Sequence, residues 1–270
     1  MDFQYQNIHY HLSEVSHNYG DNVHIISDPY LMTLLAKLGH EDTQQPLITY
    51  YVRELYEHLL KHVISHTFPK KNVQITTRMR AMHPEGIYSG EVLDADTKVV
   101  CVDIARAGIL PSQVCYEKIN YLLNAKNIRQ DHLILSRETN EKHEVVGVKI
   151  GGAKIGGDVE SAILLIADPM GATGATICHT LDYYRTHVAG TPSKIVTMHL
   201  MLTPEYIRKM QAEHPEVEIY ALRLDRGFSS AKALASMPGE FWNEEKGLNA
   251  SQYIVPGAGG LGEILNNSFV

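Results

Sequence analysis

The chain has 270 residues, of which 44% are hydrophobic and 20% are charged, and a formal net charge of −7. These values are ordinary for a globular protein with one main core, and the negative charge argues against a broad nucleic-acid-binding surface. Residues 1–20 lack the apolar core of a signal peptide, and no apolar run approaches the roughly 20 residues that span a bilayer. We therefore expect a cytoplasmic protein with neither nucleic acid nor a membrane among its partners.

The cysteines and histidines give no sign of a cross-link or a metal centre. Cys101, Cys115 and Cys178 all lie in apolar segments without Cys-x-x-Cys spacing, which predicts buried thiols in a reducing compartment. The 15 histidines are scattered and form no His-Glu-x-x-His pattern. We therefore expect neither a structural zinc ion nor a catalytic transition metal.

The first third of the chain predicts an arm, two helices and a hairpin. Residues 1–26 are rich in Tyr and His without periodicity, and we predict an N-terminal arm open to packing on a neighbour. Asp28 caps a helix predicted over 31–38, and apolar residues at every fourth position indicate a second helix over about 43–66. That apolar stripe fits simple packing, with a dimer surface as the alternative. Alternation and turn residues over 69–89 predict a short antiparallel excursion.

The rest of the chain alternates strands and helices. Buried strands are predicted over 98–102, 131–135, 163–167, 194–202 and 217–220. Helices are predicted over 110–123 and 176–188, and a return strand over 144–150 makes a hairpin with the strand before it. Five strands interleaved with helices predict an α/β fold with a mainly parallel sheet.

The most informative stretch is the loop after the strand over 163–167. It reads Asp168-Pro169-Met170-Gly171-Ala172-Thr173-Gly174-Ala175-Thr176. Its two glycines let the backbone approach a ligand, its threonines offer hydroxyls, and the N–H groups of the following helix favour an anion. This predicts a phosphate site, where Asp168 holds sugar hydroxyls or assists a metal, because a carboxylate repels phosphate. The loop has neither the Lys of a P-loop nor the Gly-x-Gly-x-x-Gly of a dinucleotide site.

The same loop resembles the ribose-phosphate loop of phosphoribosyltransferases, and its Asp-Pro-Met before Ala-Thr-Gly resembles the form typical of uracil phosphoribosyltransferases. The resemblance covers roughly residues 28–266 through three motifs in the family's order. It implies the type I phosphoribosyltransferase fold, an α/β fold whose central, mainly parallel sheet is flanked by helices, with a C-terminal hood and a β-hairpin arm. We expect residues 27–270 to form a single domain, with the hood at about 226–266.

Two further segments resemble pyrophosphate-binding motifs of the family. The run Asp103-Ile104-Ala105-Arg106-Ala107-Gly108 resembles its Pro-Ile-Leu-Arg-Ala-Gly, with Asp for Pro and Ala for Leu. The run Ser136-Arg137-Glu138-Thr139-Asn140 resembles its flexible hairpin, which supplies a second arginine. For each arginine, a solvated surface charge is the alternative.

The resemblance implies that Arg106, Arg137 and Asp168 are the catalytic residues. It also implies that the phosphoribosyl pyrophosphate site consists of Arg106, Arg137, Asp168, Pro169, Met170, Gly171, Ala172, Thr173, Gly174, Ala175 and Thr176.

The segment 253–264 resembles the hood that recognises uracil mainly through backbone groups. On this match the base would be bound by Ile254, Gly259, Gly260 and Leu261. The family's aspartate that helps hold phosphoribosyl pyrophosphate and Mg²⁺ is replaced by Gly260.

The hood differs from the family's pattern at two more positions where the family has a charged residue. The family's second acid is Glu263 here, and its arginine is Ile264. Either Glu263 or Asp225 replaces the missing acid, or the activity or the substrate has changed. The extra residues 226–243, close to the base pocket, fit either a lid or a packing feature.

The resemblance implies a uracil phosphoribosyltransferase that gives UMP and pyrophosphate with Mg²⁺, in pyrimidine salvage, as a homodimer. It leaves the residues that hold the metal unidentified. A phosphoribosyltransferase for another base is one alternative, because the hood is altered. A non-catalytic regulator that binds phosphoribosyl pyrophosphate or a nucleotide is another, because of Gly260.

Overall fold

The computed structural model describes residues 2–139 and 145–269. In chain order the strands are β1 (Val23–Ile25), β2 (Lys70–Thr76), β3 (Ile87–Leu93), β4 (Val99–Ala105), β5 (Ile128–Thr139), β6 (Val145–Lys154), β7 (Ile163–Ala167), β8 (Met170–Gly171), β9 (Lys194–Leu202) and β10 (Val217–Leu224). The helices are α1 (Pro29–Leu38), α2 (Leu47–Thr67), α3 (Ile109–Leu122), α4 (Ala175–His187), α5 (Pro204–Glu213), α6 (Ala231–Leu234) and α7 (Leu261–Ile264).

Within these two ranges, eight strands form the main sheet in the order β1-β10-β9-β7-β4-β5-β6, with β8 beside β9. The pairs are parallel except β5 with β6, which form an antiparallel hairpin. β2 and β3 form a separate antiparallel pair, as the alternation over 69–89 predicted. The α/β fold with a mainly parallel sheet and a hairpin is thereby confirmed.

Helices cover both faces of the sheet. α1, α2 and α3 bury their apolar sides against one face, and α4 and α5 bury theirs against the other. β7 is apolar throughout and all five of its residues are buried, because a central parallel strand is covered on both faces. The carboxyl ends of the central strands are thus held rigidly at one edge.

Local signals account for the helix starts. The Asp28 carboxylate accepts hydrogen bonds from the N–H groups of Tyr30 and Leu31 at 2.8 and 3.2 Å, which caps α1. The second helix begins at Leu47 rather than at about residue 43, because Pro46 is tolerated only at a helix start. Leu47 is exposed, since a stripe at every fourth residue drifts around a helix of 3.6 residues per turn.

The sequence patterns placed some strand boundaries wrongly. β4 continues to Ala105, so Asp103 lies inside the strand and not after it. β5 and β6 are longer than predicted, because their antiparallel pairing extends both. Asn140 of the predicted arginine motif and Glu144, the predicted start of the return strand, lie outside the described residues.

The sequence patterns did not predict two short strands. β1 lies within the predicted arm and pairs with β10 through Val23 and Ile219. With three residues, it is too short for any periodicity to show. β8 has only two residues and lies inside the predicted phosphate loop.

The predicted arm also contacts the segment 226–245. Tyr19 is buried, its hydroxyl donates to Glu245, and its ring lies 5.1 Å from that of Trp242. The buried Glu245 carboxylate also accepts a hydrogen bond from Arg226 at 2.8 Å. These contacts favour a packing role for the extra residues, which include α6. Among the described residues, no helix is both long and apolar enough to cross a bilayer.

Candidate active site

Four loops meet at the carboxyl edge of the sheet, where open α/β proteins bind ligands. They follow β4, β7, β9 and β10 and begin with Arg106, Asp168, Thr203 and Asp225. The loop after β4 reaches the end of β7, because a Cβ atom built on Gly108 would lie 3.1 Å from the carbonyl oxygen of Ala167, the last β7 residue. Sequence motifs that are far apart in the chain therefore share one site.

The loop after β7 opens the N-terminus of α4 toward this edge. Gly174, the N-cap residue, has φ +81°, a left-handed conformation that favours glycine. The Thr173 hydroxyl accepts a hydrogen bond from the Ala175 N–H at 3.3 Å. The first turn of a helix has N–H groups without intrahelical partners, and these favour an anion. The geometry suits the predicted phosphate.

The same loop is anchored to β9. Its β8 residues pair with Met201 and Leu202, and the Thr203 hydroxyl donates to the carbonyl oxygen of Ala172 at 2.6 Å. A Cβ on Gly171 would lie 2.9 Å from Leu202 Cβ and 3.3 Å from His199 Cγ. Gly171 therefore allows the loop to approach its own sheet closely. Its approach to a ligand stays a prediction.

His199, on β9, supports the loop after β7, and the sequence patterns did not identify it. It is fully buried, its Nδ1 lies 2.6 Å from the backbone oxygen of Asp168, and its Nε2 lies 2.7 Å from the Tyr206 hydroxyl. This network assigns the proton to Nδ1, which donates to the carbonyl. Burial lowers the pKa of His199 to about 4, so the ring is neutral at pH 7. A histidine inside the apolar run of β9 was the available signal.

Asp168 is the titratable group of the loop. One carboxylate oxygen accepts the Met170 N–H at 3.1 Å, and burial raises the pKa of Asp168 to about 6. A carboxylate with a raised pKa at a ligand-binding edge is a functional candidate. Its free lone pairs can accept hydrogen bonds from ligand hydroxyls.

Arg106 follows the cis peptide bond between Ala105 and Arg106. Its Nη1 donates to the backbone oxygen and the hydroxyl of Ser268, at 3.1 and 3.0 Å. A guanidinium has five N–H donors, so others remain for an anion. The loop also touches the hood, because a Cβ on Gly262 would lie 3.5 Å from Ala107 Cβ.

Arg137 lies on β5, where its backbone pairs with Val148 of β6. Because Ala105, the last residue of β4, pairs with Ile134, the hairpin continues past the carboxyl edge toward Arg137. The side chain of Arg137 lies outside the described part of the structure. Its role in binding pyrophosphate stays a prediction.

Asp103, where the family has Pro, has a local structural partner. Its Oδ2 lies 2.8 Å from Nδ1 of His132, on the neighbouring strand β5. Burial raises the pKa of Asp103, against the opposing effect of His132. The pairing explains how a carboxylate is accommodated inside β4.

The hood is held by a buried carboxylate at the end of β10. Asp225 accepts hydrogen bonds from Arg223 Nη2 and from the Gly257 N–H, both at 2.8 Å. Arg223 Nε donates to its other oxygen. Glu205, at the start of α5, accepts the N–H of Gly247 at 3.0 Å. Both oxygens of Asp225 are thus engaged, Oδ1 by Arg223 and Oδ2 by Arg223 and the hood.

The predicted base-binding residues present backbone rather than side chains. The side chains of Ile254 and Leu261 are buried in the core. Gly259 has φ +74°, and Gly260 is the N-cap residue of α7. A ligand at this point would therefore meet main-chain groups.

Glu263 occupies the space beside Gly260. A Cβ atom built on Gly260 would overlap with Oε2 of Glu263. The Glu263 carboxylate therefore lies where the side chain of the family's aspartate would begin. Since Asp225 is engaged with Arg223 and Gly257, Glu263 is the better replacement for that acid.

Comparison with known proteins agrees with this geometry. The sequence model of the uracil phosphoribosyltransferase family matches residues 25–244. The uracil phosphoribosyltransferase of Thermococcus sibiricus is 25% identical over 87% of this chain and 85% of its own. That of an Exiguobacterium species is 29% identical over 90% of this chain and 97% of its own.

A solved structure, that of the AQ2163 protein from Aquifex aeolicus, has the same fold. It superposes with a TM-score of 0.67 at 21% identity and covers 90% of this chain and 97% of its own. The family and the enzyme class that the three motifs predicted are confirmed. The chain belongs to the uracil phosphoribosyltransferase family.

Proposed function

We propose that this chain joins uracil to phosphoribosyl pyrophosphate and releases UMP and pyrophosphate. The observation that carries this proposal is the loop from Asp168 to Thr176, which presents a helix N-terminus at the sheet edge. The loop of Arg106 abuts the end of the same strand. An anion site next to an arginine suits a substrate with phosphates at both ends of a ribose.

Catalysis by this site consists of positioning and charge stabilisation. As pyrophosphate leaves, C1′ of the ribose gains oxocarbenium character, and negative charge grows on the leaving group. In our proposal the residues 171–176 bind the 5-phosphate, and Arg106 and Arg137 stabilise the leaving pyrophosphate. No side chain needs to act as a covalent nucleophile.

Asp168 is proposed to hold the ribose. Above its raised pKa the carboxylate accepts hydrogen bonds from ribose hydroxyls and lies near the positive charge that develops on the sugar. His199 fixes the backbone at this point through its 2.6 Å contact with the Asp168 oxygen. His199 is therefore a positioning residue, not a catalytic one.

Mg²⁺ is the proposed cofactor. This ion takes carboxylate and phosphate oxygens and keeps several waters. The carboxylates of Asp168 and Glu263 fit this requirement, whereas Asp225 is engaged with Arg223 and the hood. When bound, the ion neutralises part of the charge of the leaving pyrophosphate.

The hood is proposed to read uracil through the backbone groups of residues 259–261. Main-chain donors and acceptors can match the edge of a planar base when no side chain intervenes. We also propose a homodimer that acts in pyrimidine salvage in the cytoplasm. The three cysteines are buried free thiols, which suits a reducing compartment.

The test is pyrophosphate release by the full chain, given phosphoribosyl pyrophosphate, Mg²⁺ and either uracil, cytosine or hypoxanthine. Turnover with uracil is expected. The variant Arg106→Ala should lose roughly 10²–10³-fold in kcat, because it removes one charge-stabilising donor. Arg53→Ala is the matched control, since Arg53 pairs on the surface with Glu117 at 3.2 Å.

Each other outcome has a definite meaning. Turnover with another base alone would make the chain a phosphoribosyltransferase for that base. Binding of phosphoribosyl pyrophosphate without any turnover would overturn the proposal of an enzyme. The non-catalytic regulator, which the departure at Gly260 suggested, would then be favoured.

A further inference from the structure

Four potential metal ligands meet where α4 packs against the end of α5. Cys178 and Asp182 lie one turn apart on α4, Glu213 is the last residue of α5, and His214 follows it. Ligand atoms of Cys178, Glu213 and His214 all lie within 4.8 Å of one another. His214 Nε2 lies 3.7 Å from Asp182 Oδ1. The cluster is outside the carboxyl-edge loops described above.

His214 is a buried residue whose hydrogen bonding is incomplete. It is 1% exposed, and its Nε2 has no hydrogen-bond partner in the described part of the chain. A buried polar atom without a partner costs about 1–3 kcal/mol, so native structures rarely leave one. The Nε2 atom is the one that belongs to the cluster, because Nδ1 lies beside Arg185 and Glu216, at 3.5 and 3.7 Å.

We propose that Cys178, Asp182, Glu213 and His214 form a zinc(II) site. Zn²⁺ takes four Cys, His and carboxylate ligands in a tetrahedron, with bonds of about 2.0–2.3 Å. Such bonds separate the ligand atoms by about 3.3–3.8 Å. The 3.7 Å between His214 Nε2 and Asp182 Oδ1 lies within this range. The ligand atoms of Cys178, Glu213 and His214, which lie within 4.8 Å of one another, need a small inward movement. The sequence pattern predicted no such site, because its ligands come from two helices.

The donor set selects zinc over the magnesium proposed for the substrate. A thiolate and an imidazole are ligands for zinc, whereas magnesium prefers hard oxygen atoms. In the metal-free protein the Cys178 thiol is protonated, because burial and the nearby Glu213 raise its pKa to about 12. On binding, the sulfur loses its proton to solvent and forms the bond to the metal.

Basic and acidic neighbours complete the surroundings. Lys209 Nζ lies 2.6 Å from one oxygen of Glu213, which leaves the other oxygen for the ion. Glu216 lies 3.7 Å from His214 Nδ1 and accepts a hydrogen bond from Arg185 at 3.0 Å. Because Cys178 and Asp182 lie on α4 and Glu213 ends α5, a bound ion would connect the two helices.

The test titrates the metal-stripped full chain with Zn²⁺ alone, and with Co²⁺ as a spectroscopic probe. We expect one equivalent to bind, with the intense visible bands of tetrahedral Co²⁺ and a thiolate-to-metal charge-transfer band. Cys178→Ser and His214→Gln should each lose more affinity than the roughly 10–100-fold contributed by groups around a metal's ligands. His187→Gln, an exposed histidine on the same helix, should bind as the unaltered chain does.

Circular dichroism and the thermal midpoint without metal show whether each variant folds. A second measurement needs no variant, because Zn²⁺ binding to this site should release one thiol proton per ion at pH 7. Zn²⁺ should also raise the thermal midpoint of the unaltered chain. Cobalt bound without a thiolate band, or zinc bound without proton release, would overturn the site.

Discussion

The loop after β7 and the hood after β10 build the two halves of the candidate site in different ways. The loop keeps the family's Asp-Pro-Met and Ala-Thr-Gly and is bonded to β9 through Thr203 and His199. The hood is tied to β10 through Asp225, and it has lost two charged residues of the family, at Gly260 and Ile264. The family match itself ends at residue 244, ahead of the hood motif.

The two halves of the site depend on different kinds of interaction. The phosphate half depends on backbone geometry that is fixed from several sides, so an added side chain has little room at Gly171. The hood depends on a few carboxylates, and a carboxylate can reach the same place from another position in the chain. The carboxylate of Glu263 lies beside Gly260.

Removing the Asp225 carboxylate, which ties the hood to β10, should destabilise the protein most. Asp225→Ala should lower the free energy of unfolding by about 3 kcal/mol, because it leaves Arg223 and the Gly257 N–H without their buried partner. Urea unfolding measures the change. Asp225→Asn, which still offers an acceptor to Gly257, should lose less, and equal losses in the two variants would contradict this account.

The matching test for the loop is Gly171→Ala. The added methyl group has no room between Leu202 and His199, so we expect a loss of about 1–3 kcal/mol in unfolding free energy and weaker binding of phosphoribosyl pyrophosphate. Gly151→Ala is the control, because a Cβ there meets its nearest atom, the Ile134 oxygen, at 3.7 Å. If both variants bind the substrate normally, the loop is less constrained than we infer.

Glu263→Gln tests whether Glu263 takes the role of the family's aspartate, which is replaced by Gly260. If Glu263 serves the substrate, kcat/KM for phosphoribosyl pyrophosphate should fall about 10- to 100-fold, as for a lost charge-assisted bond of about 1.5–3 kcal/mol. The double variant with Gly260→Asp should recover part of the loss. Glu240→Gln, an exposed acid, is the control. Unchanged kinetics in Glu263→Gln would remove this role.

A weaker effect is the dependence of the unfolding free energy on pH that arises from Asp168. Its pKa of about 6 in the folded protein exceeds the ordinary value of about 3.9, so the native state binds the proton more tightly. This contribution to the unfolding free energy is full below about pH 4 and decreases as pH rises through 6. His199, with its lowered pKa, contributes the opposite slope between about pH 4 and 6.5.

Comparing the chain with Asp168→Asn isolates the contribution of Asp168, because His199 is unchanged in both. Urea unfolding between pH 4 and 7 should give curves that differ in slope. Asp158→Asn, on the surface, should follow the unaltered chain. Parallel curves for all three proteins would show that Asp168 is not held in a raised-pKa environment.

The sequence predicted those features whose cause is local. Strand β7 and the capped start of α1 follow from short patterns, and the family motifs brought Arg106 and Asp168 to one edge. Contacts between distant residues leave no such pattern. His199 lies 31 residues from Asp168, and Ser268 lies 162 residues from Arg106. Such pairs are chosen by the packing of the whole fold.

The pairing of β1 with β10 has a consequence for biosynthesis. Val23 pairs with Ile219, so 196 residues separate the two strands (219 − 23). At about 5–20 residues per second, a ribosome needs roughly 10–40 s to make this stretch. Throughout that time the segment Val23–Ile25 has no β10 strand to pair with. The nascent chain therefore exposes a strand that a chaperone can hold until β10 emerges.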